Sequence, residues 1–102
     1  MNISNAFRTF MTEAPEIAQI WGETVQKLDG ASHLDKKTEE LAYLAVLAAL
    51  RMEGGIPFHT KMAKTHGASR EEIISAILVG LPAIGNQVIQ TLPIALMAYD
   101  DN

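Results

Sequence analysis

The chain has 102 residues and a net charge of -4, with eight basic and twelve acidic residues, and 48% of it is hydrophobic. This length suits one domain, and the few scattered basic residues form no stripe that would neutralise nucleic-acid phosphates. The chain contains no cysteine, which excludes disulfides, thiolate metal sites and redox chemistry of a thiol of its own.

Two amphipathic helices are predicted at the start of the chain. The first covers about residues 3–12. The second begins near Pro15, where a proline leaves no N–H unpaired, and Gly30 ends it. Their apolar residues recur at helical spacing: Ile3, Phe7, Phe10 and Met11 in the first helix, and Ile17, Ile20, Trp21, Val25 and Leu28 in the second.

The third predicted helix is the most hydrophobic. Asp35 is positioned to cap it, and the run from Leu41 to Leu50 is apolar on every side. Such a helix should be buried on every side, yet a small domain offers little cover. We therefore expect self-association through this helix, where several alanines allow close approach. The alternative is that it is simply the central helix of a monomer.

Glycine and proline also divide the second half of the chain. Gly54 and Gly55 break the apolar helix, Pro57 restarts a helix, and Gly67 ends it. The inner face of this fourth helix is expected to hold Phe58, His59, Met62 and Ala63.

The last third of the chain carries two further helical segments. Ser69 and Glu72 have the spacing of a capping box. Pro93 should kink or break the final segment, about residues 86–99. Strand alternation appears nowhere, so the residues predict an all-α fold in a single domain over residues 1–102.

No membrane span, export signal, metal site or cofactor is predicted. The longest apolar run is shorter than the ~20 residues that span a bilayer. The first residues do not read as a signal peptide, so a cytoplasmic location is expected. His59 and His66 share a helix face, but their Cα atoms lie roughly 10 Å apart, so one ion cannot take both directly. His33 lies in a predicted connection.

Three residues are candidates for chemistry. His59 follows the Gly54–Phe58 break, and a buried structural histidine is the alternative interpretation. Glu40 lies on the face of its helix that carries Tyr43 and Leu44, where a carboxylate needs a partner; otherwise it is a charge at a helix start. Arg51 could grip a substrate carboxylate with its forked guanidinium, or it is a surface charge. Glu39 is expected to be solvated.

From residue 34 to about 99, the chain resembles the carboxymuconolactone decarboxylase family, which includes alkylhydroperoxidase D-like proteins. The matching stretches are Leu34–Leu41, the Ala/Leu-rich helix, the break before His59, and Gly67–Ile73. The resemblance implies an orthogonal bundle of about six helices. It also implies a homotrimer or homohexamer assembled through the central helices.

The chain departs from the peroxidase branch of that family at the thiols. The resemblance places a Cys-x-x-Cys pair at Met52 and Gly55 and a second histidine at Gly54, and all three are replaced here. It identifies Glu40 and His59 with the two proton-relay residues of that branch. Thiol peroxidase activity is excluded, because no thiolate is present to attack a peroxide.

Three functions remain open. The resemblance to the decarboxylase branch implies a lyase or isomerase acting on a small carboxylated lactone or related acid. His59 and Glu40 would be catalytic and Arg51 would bind substrate, so His59 and Glu40 should meet in a pocket. A non-catalytic binding or assembly protein should instead fill the space beside His59 with Met52, Phe58 and Met62. A redox partner that borrows a thiol from another chain is the third.

Overall fold

The computed structural model describes residues 3–101, which form seven α-helices and no strand. Six of the helices have nine residues or more, in agreement with the predicted all-α bundle of about six helices. Their bounds are α1 Asn5–Glu13, α2 Pro15–Ala31, α3 Lys36–Ala49, α4 Ile56–Thr65, α5 Arg70–Leu78, α6 Leu81–Ile84 and α7 Leu92–Asp100, with 3-10 turns at Glu53–Gly55 and Asn86–Thr91.

Side-chain caps start the helices where the sequence predicts them. The Asp35 carboxylate accepts a hydrogen bond from the Thr38 N–H at 2.9 Å. Ser69 Oγ accepts from the Glu72 N–H at 3.0 Å, and Glu72 Oε1 accepts from the Ser69 N–H at 2.8 Å. Both N–H groups would otherwise lack partners at a helix start, so the reciprocal pair fixes where α5 begins.

Two helices end in the same backbone motif, with different residues at the left-handed position. After α4, Gly67 has φ +95° and its N–H bonds to Lys64, while the Ala68 N–H bonds to Ala63. After α3, Arg51 occupies the equivalent position with φ +54°. This is the Schellman arrangement, in which glycine is the usual residue because a Cβ is disfavoured there.

The core lies among four helices: α4 and α5 pack against α3, and α7 packs against α4 and α5. Pro93 is the second residue of α7, where the helix needs no N–H, and the preceding residues form a 3-10 turn. The predicted break at Pro93 is therefore confirmed. The fully buried apolar residues of this core include Leu44, Ala48, Ile56, Ala63, Ile73, Ile77, Val88 and Ala95.

The first two helices contain no buried residue, in contrast to α3, α4, α5 and α7. α1 and α2 pack mainly on each other. The apolar stripe of α2, which includes Ile17, Ile20 and Trp21, is exposed. The prediction of two amphipathic helices was correct, but within one chain their apolar faces have few residues to pack against.

Two predictions of burial are wrong within one chain. Leu44 and Ala48 of the apolar helix are fully buried, but Val46 on its opposite face is 58% exposed. The inner face of α4 consists of Ile56, Thr60 and Ala63; Phe58, His59 and Met62 are only partly buried. The buried face of α4 starts at Ile56, before Pro57, and continues at helical spacing through Thr60 and Ala63.

Candidate active site

His59 and Glu40 meet across the α3–α4 interface. His59 Nδ1 lies 2.7 Å from Glu40 Oε1. An ionised carboxylate has only acceptors, so Nδ1 carries the hydrogen and donates it. This leaves Nε2 as the ring nitrogen free to meet a bound molecule. The lyase hypothesis predicted that these residues would come within hydrogen-bond reach in a pocket. They are within reach of each other, and His59, but not Glu40, lines a cleft.

Glu40 is almost completely enclosed, with 2% exposure, although it lies in the first two turns of α3. α3 is the central helix, so even its polar start is covered by neighbours. A buried carboxylate requires a cation or several hydrogen bonds. His59 meets this need at one oxygen, and Lys36 Nζ lies 3.7 Å from the other.

Glu39 is also buried, with 5% exposure, which corrects the expectation that it is solvated. Lys36 Nζ lies 3.2 Å from Glu39 Oε1 and 2.8 Å from Asp29 Oδ1 of α2. The hydrogen bond to Asp29 is the main cause that raises the pKa of Lys36. Lys36 is the residue that sequence reasoning missed. Its contact with the glutamates could have been predicted from the sequence, because Glu39 and Glu40 follow Lys36 by three and four residues and so lie on the same helix face.

Two aromatic rings flank the imidazole. Tyr43 and Phe58 each meet it edge-on, with ring centroids 5.1 Å away. Burial raises the pKa of the Tyr43 phenol, and the nearby Glu39 carboxylate adds to this effect. Tyr43 therefore remains a neutral hydroxyl at physiological pH.

His59 lines an apolar cleft of about 750 Å³. The cleft lies between the α1–α2 pair and the helices α3 and α4. Its hydrogen-bonding side chains are those of His59, Ser4, Tyr43 and the Trp21 indole, and no Lys, Arg, Asp or Glu lines it among residues 3–101. Glu40 lies behind His59 and is not part of the lining. The apolar lining consists of Ile3, Phe7, Trp21, Val25, Leu28, Val46, Leu47 and Phe58, with Gly22, Gly54 and Gly55.

The glycines that replace the peroxidase thiol and histidine form part of the cleft wall. A Cβ on Gly55 would lie 3.9 Å from His59 Cδ2 and 3.2 Å from Leu47 Cδ1. A Cβ on Gly54 would lie 3.4 Å from Ser4 Cβ. A side chain at position 55 would therefore crowd Leu47, so glycine at this position lets Leu47 pack close to the backbone beside the imidazole.

Arg51 does not line the cleft. Its side chain is exposed, and within the described residues it makes no side-chain hydrogen bond or ion pair. The structure thus does not bring Arg51 together with His59 and Glu40 in one chain. Met52 and Met62 are also outside the lining, so the space that the non-catalytic interpretation expected to be filled is a cleft.

The other histidines lie apart from this site. His33 and His66 are exposed, and His66 caps the end of α4. Within residues 3–101, no three His, Asp or Glu side chains are grouped so that they could hold a metal ion. No helix in that range is both long enough and apolar enough to cross a bilayer.

Comparison with known proteins identifies the family. The model of the carboxymuconolactone decarboxylase family matches residues 15–96. The structure is similar to the apo crystal structure of a carboxymuconolactone decarboxylase family protein from Legionella pneumophila, with a TM-score of 0.78 and 27% identity over 93% of this chain and 85% of that one. No match is found among curated proteins. Since the family model covers most of the chain, including the apolar helix and His59, this protein belongs to the carboxymuconolactone decarboxylase family.

Proposed function

We propose that the protein is a thiol-independent lyase or isomerase that transfers a proton at carbon in a small, mainly apolar acid or lactone. The observation that supports this proposal is the 2.7 Å contact between His59 Nδ1 and a buried Glu40 at the wall of an open cleft. A carboxylate that holds one ring nitrogen orients the other and stabilises the imidazolium formed during proton transfer.

The lining of the cleft restricts the substrate. An ionised group that enters an apolar cleft without a partner is strongly disfavoured. Few hydrogen-bonding side chains line this cleft, and His59 and Tyr43 are in contact with each other. We therefore propose a substrate with one polar head, a carboxylate or a lactone carbonyl, and an apolar body. This replaces the expectation of a substrate with a second carboxylate bound by Arg51.

The chemistry of decarboxylation fits this arrangement. When a β-keto acid loses CO2, the bond between Cα and the carboxyl carbon breaks, and its electron pair remains on Cα as an enolate. The enolate then takes a proton from an acid. His59 protonated at Nε2 is the candidate donor, with Tyr43 available to donate a hydrogen bond to the enolate oxygen.

A six-carbon β-keto acid, 3-oxohexanoate, tests the proposal. Its conversion to pentan-2-one and CO2 can be followed by NMR beside the spontaneous reaction. We expect the wild-type protein to accelerate it, and His59→Gln and Glu40→Gln to lower that acceleration at least tenfold, since a positioned acid or base contributes about 10²–10⁴ in rate. His66→Gln, which changes an exposed histidine at the opposite end of α4, is the control and should keep the full rate.

Equal rates for the wild-type and His59→Gln proteins would contradict the proposal. So would a wild-type protein that leaves the spontaneous rate unchanged.

We further propose that the protein self-associates, as a trimer or hexamer. The chain exposes 6626 Å². A folded monomer of 11.1 kDa is expected to expose only about 5,700 Å². The excess is close to the roughly 800 Å² that each partner buries in a stable interface.

A further inference from the structure

One ammonium group serves two neighbouring buried carboxylates in this structure. Lys36 Nζ lies 3.2 Å from Glu39 Oε1 and 3.7 Å from Glu40 Oε2. Within the described residues, no other Lys or Arg lies within 4 Å of either glutamate. The remaining contact of Lys36 is with Asp29 on α2, at 2.8 Å.

The two oxygens of Glu40 are divided between two partners. Oε1 accepts from His59 at 2.7 Å, and Oε2 faces Lys36. A carboxylate held at both oxygens is fixed in its plane, because rotation would break one contact or the other. The direction in which Glu40 presents Oε1 to the imidazole thus depends on Lys36 as well as on the backbone of α3.

We propose that Lys36 is a positioning residue for the Glu40–His59 pair, balancing the charge of Glu39 and holding Glu40 Oε2 so that Oε1 stays on His59 Nδ1. This inference rests on the proposed function. Two desolvated carboxylates side by side repel each other, and removal of one partner from a buried ion pair leaves an uncompensated charge. Without Lys36, the Glu40 carboxylate is free to turn, and its hydrogen bond to His59 weakens.

A purely structural role for Lys36 makes a different prediction. Lys36 joins α3 to Asp29 on α2, and that contact alone would stabilise the packing of α2. Asp29→Asn removes the charge of this contact and leaves Lys36 beside Glu39 and Glu40. Lys37→Met is the matched control: Lys37 is the next residue of α3 and pairs instead with Glu72, at 3.0 Å.

The test is the NMR signal of the His59 Nδ1 hydrogen in protein labelled with ¹⁵N-histidine, assigned by its loss in His59→Gln. Wild-type, Lys36→Arg, Asp29→Asn and Lys37→Met proteins should retain this signal. Lys36→Met should lose it, or its hydrogen should exchange with water at least tenfold faster. Lys36→Gln should behave as Lys36→Met does, and it carries the test if the methionine variant does not fold. Circular dichroism at the same temperature confirms that each variant is folded.

A signal that survives in a folded Lys36→Met or Lys36→Gln protein overturns the inference. Equal loss in Asp29→Asn also overturns it, because the packing of α2 would then explain the effect. A wild-type protein without the signal overturns it too, whereas the proposed function is decided separately by turnover of 3-oxohexanoate.

Discussion

Arg51 adopts a backbone conformation that costs a residue with a side chain about 1 kcal/mol, and the reason lies in how α3 ends. Its N–H bonds to the Ala48 carbonyl, and the Met52 N–H bonds to the Leu47 carbonyl. These two bonds satisfy carbonyls that the end of a helix would otherwise leave without partners. The position of Arg51 thus follows from the termination of α3.

We predict that Arg51→Gly raises the free energy of unfolding by up to about 1 kcal/mol, because glycine reaches the left-handed region without a Cβ clash. Gly67→Ala is the reverse substitution at the equivalent position after α4, and it should lower the free energy of unfolding by about 1 kcal/mol. Urea unfolding at one protein concentration measures both. Destabilisation by Arg51→Gly would show that the arginine side chain makes stabilising contacts, in a neighbouring subunit or elsewhere.

Predictions for single residues succeeded where they rested on spacing along one helix or on a match to residues of the family. Glu40 and His59 were paired through the resemblance, since nineteen positions separate them and periodicity alone cannot join α3 to α4. Glu39 was misplaced because local sequence does not reveal which side of a helix end is covered by another element, here α2 beside the start of α3. Arg51 lies outside the cleft of a single chain, and its role in substrate binding stays a prediction.

At the level of elements, the helix caps are the most local features and were read correctly from the sequence. Ser69 and Glu72 bond each other's backbone N–H groups at the start of α5. We predict that Ser69→Ala lowers the free energy of unfolding by about 1 kcal/mol, the usual cost of losing such a cap. Ser75→Ala, an exposed serine on the same helix, is the control and should change it by less than about 0.5 kcal/mol. Equal effects in urea unfolding would exclude a capping contribution.

The same cap makes α5 sensitive to acid. The Ser69 backbone N–H, and then Lys37, hold the pKa of Glu72 below its ordinary value. A carboxyl whose pKa is lowered by folding stabilises the folded state above its ordinary pKa and loses that contribution as the pH falls through the lowered value. Glu72→Gln should therefore show a smaller loss of stability between pH 6 and pH 3 than the wild type, measured by urea unfolding. An identical loss would contradict this origin of the acid sensitivity.

The α1–α2 pair shows where element-level prediction ends. Both helices and their apolar stripes were predicted, but not that the stripes would remain exposed and that one side of α2 would form a cleft wall. An amphipathic pattern predicts that the apolar face of a helix is covered, but it does not predict which element covers that face.

At the level of the whole molecule, exposed apolar side chains support the proposed self-association, and Val46 is one of them, with 58% exposure. This residue of α3 borders both the His59 cleft and a shallow groove between α3 and α5. We predict that Val46→Lys shifts the protein toward monomer, because a charge in an apolar interface is costly. Gln90→Lys adds the same charge at a polar exposed position and should leave the assembly unchanged. Light scattering after size exclusion measures both, and a wild-type monomer at micromolar concentration would contradict self-association.

The central claim is that the His59–Glu40 pair lies at the wall of a mainly apolar cleft that accommodates one ionised group. Its most direct test is a titration of the His59 ring signals with two six-carbon probes. Hexanoate carries one carboxylate, and adipate carries a second one that the apolar wall cannot accommodate. The account predicts saturable shifts at His59, absent at His33 and His66, with hexanoate bound at least tenfold more tightly than adipate. Equal binding of the two acids, or hexanoate shifts no larger at His59 than at the two exposed histidines, would contradict it.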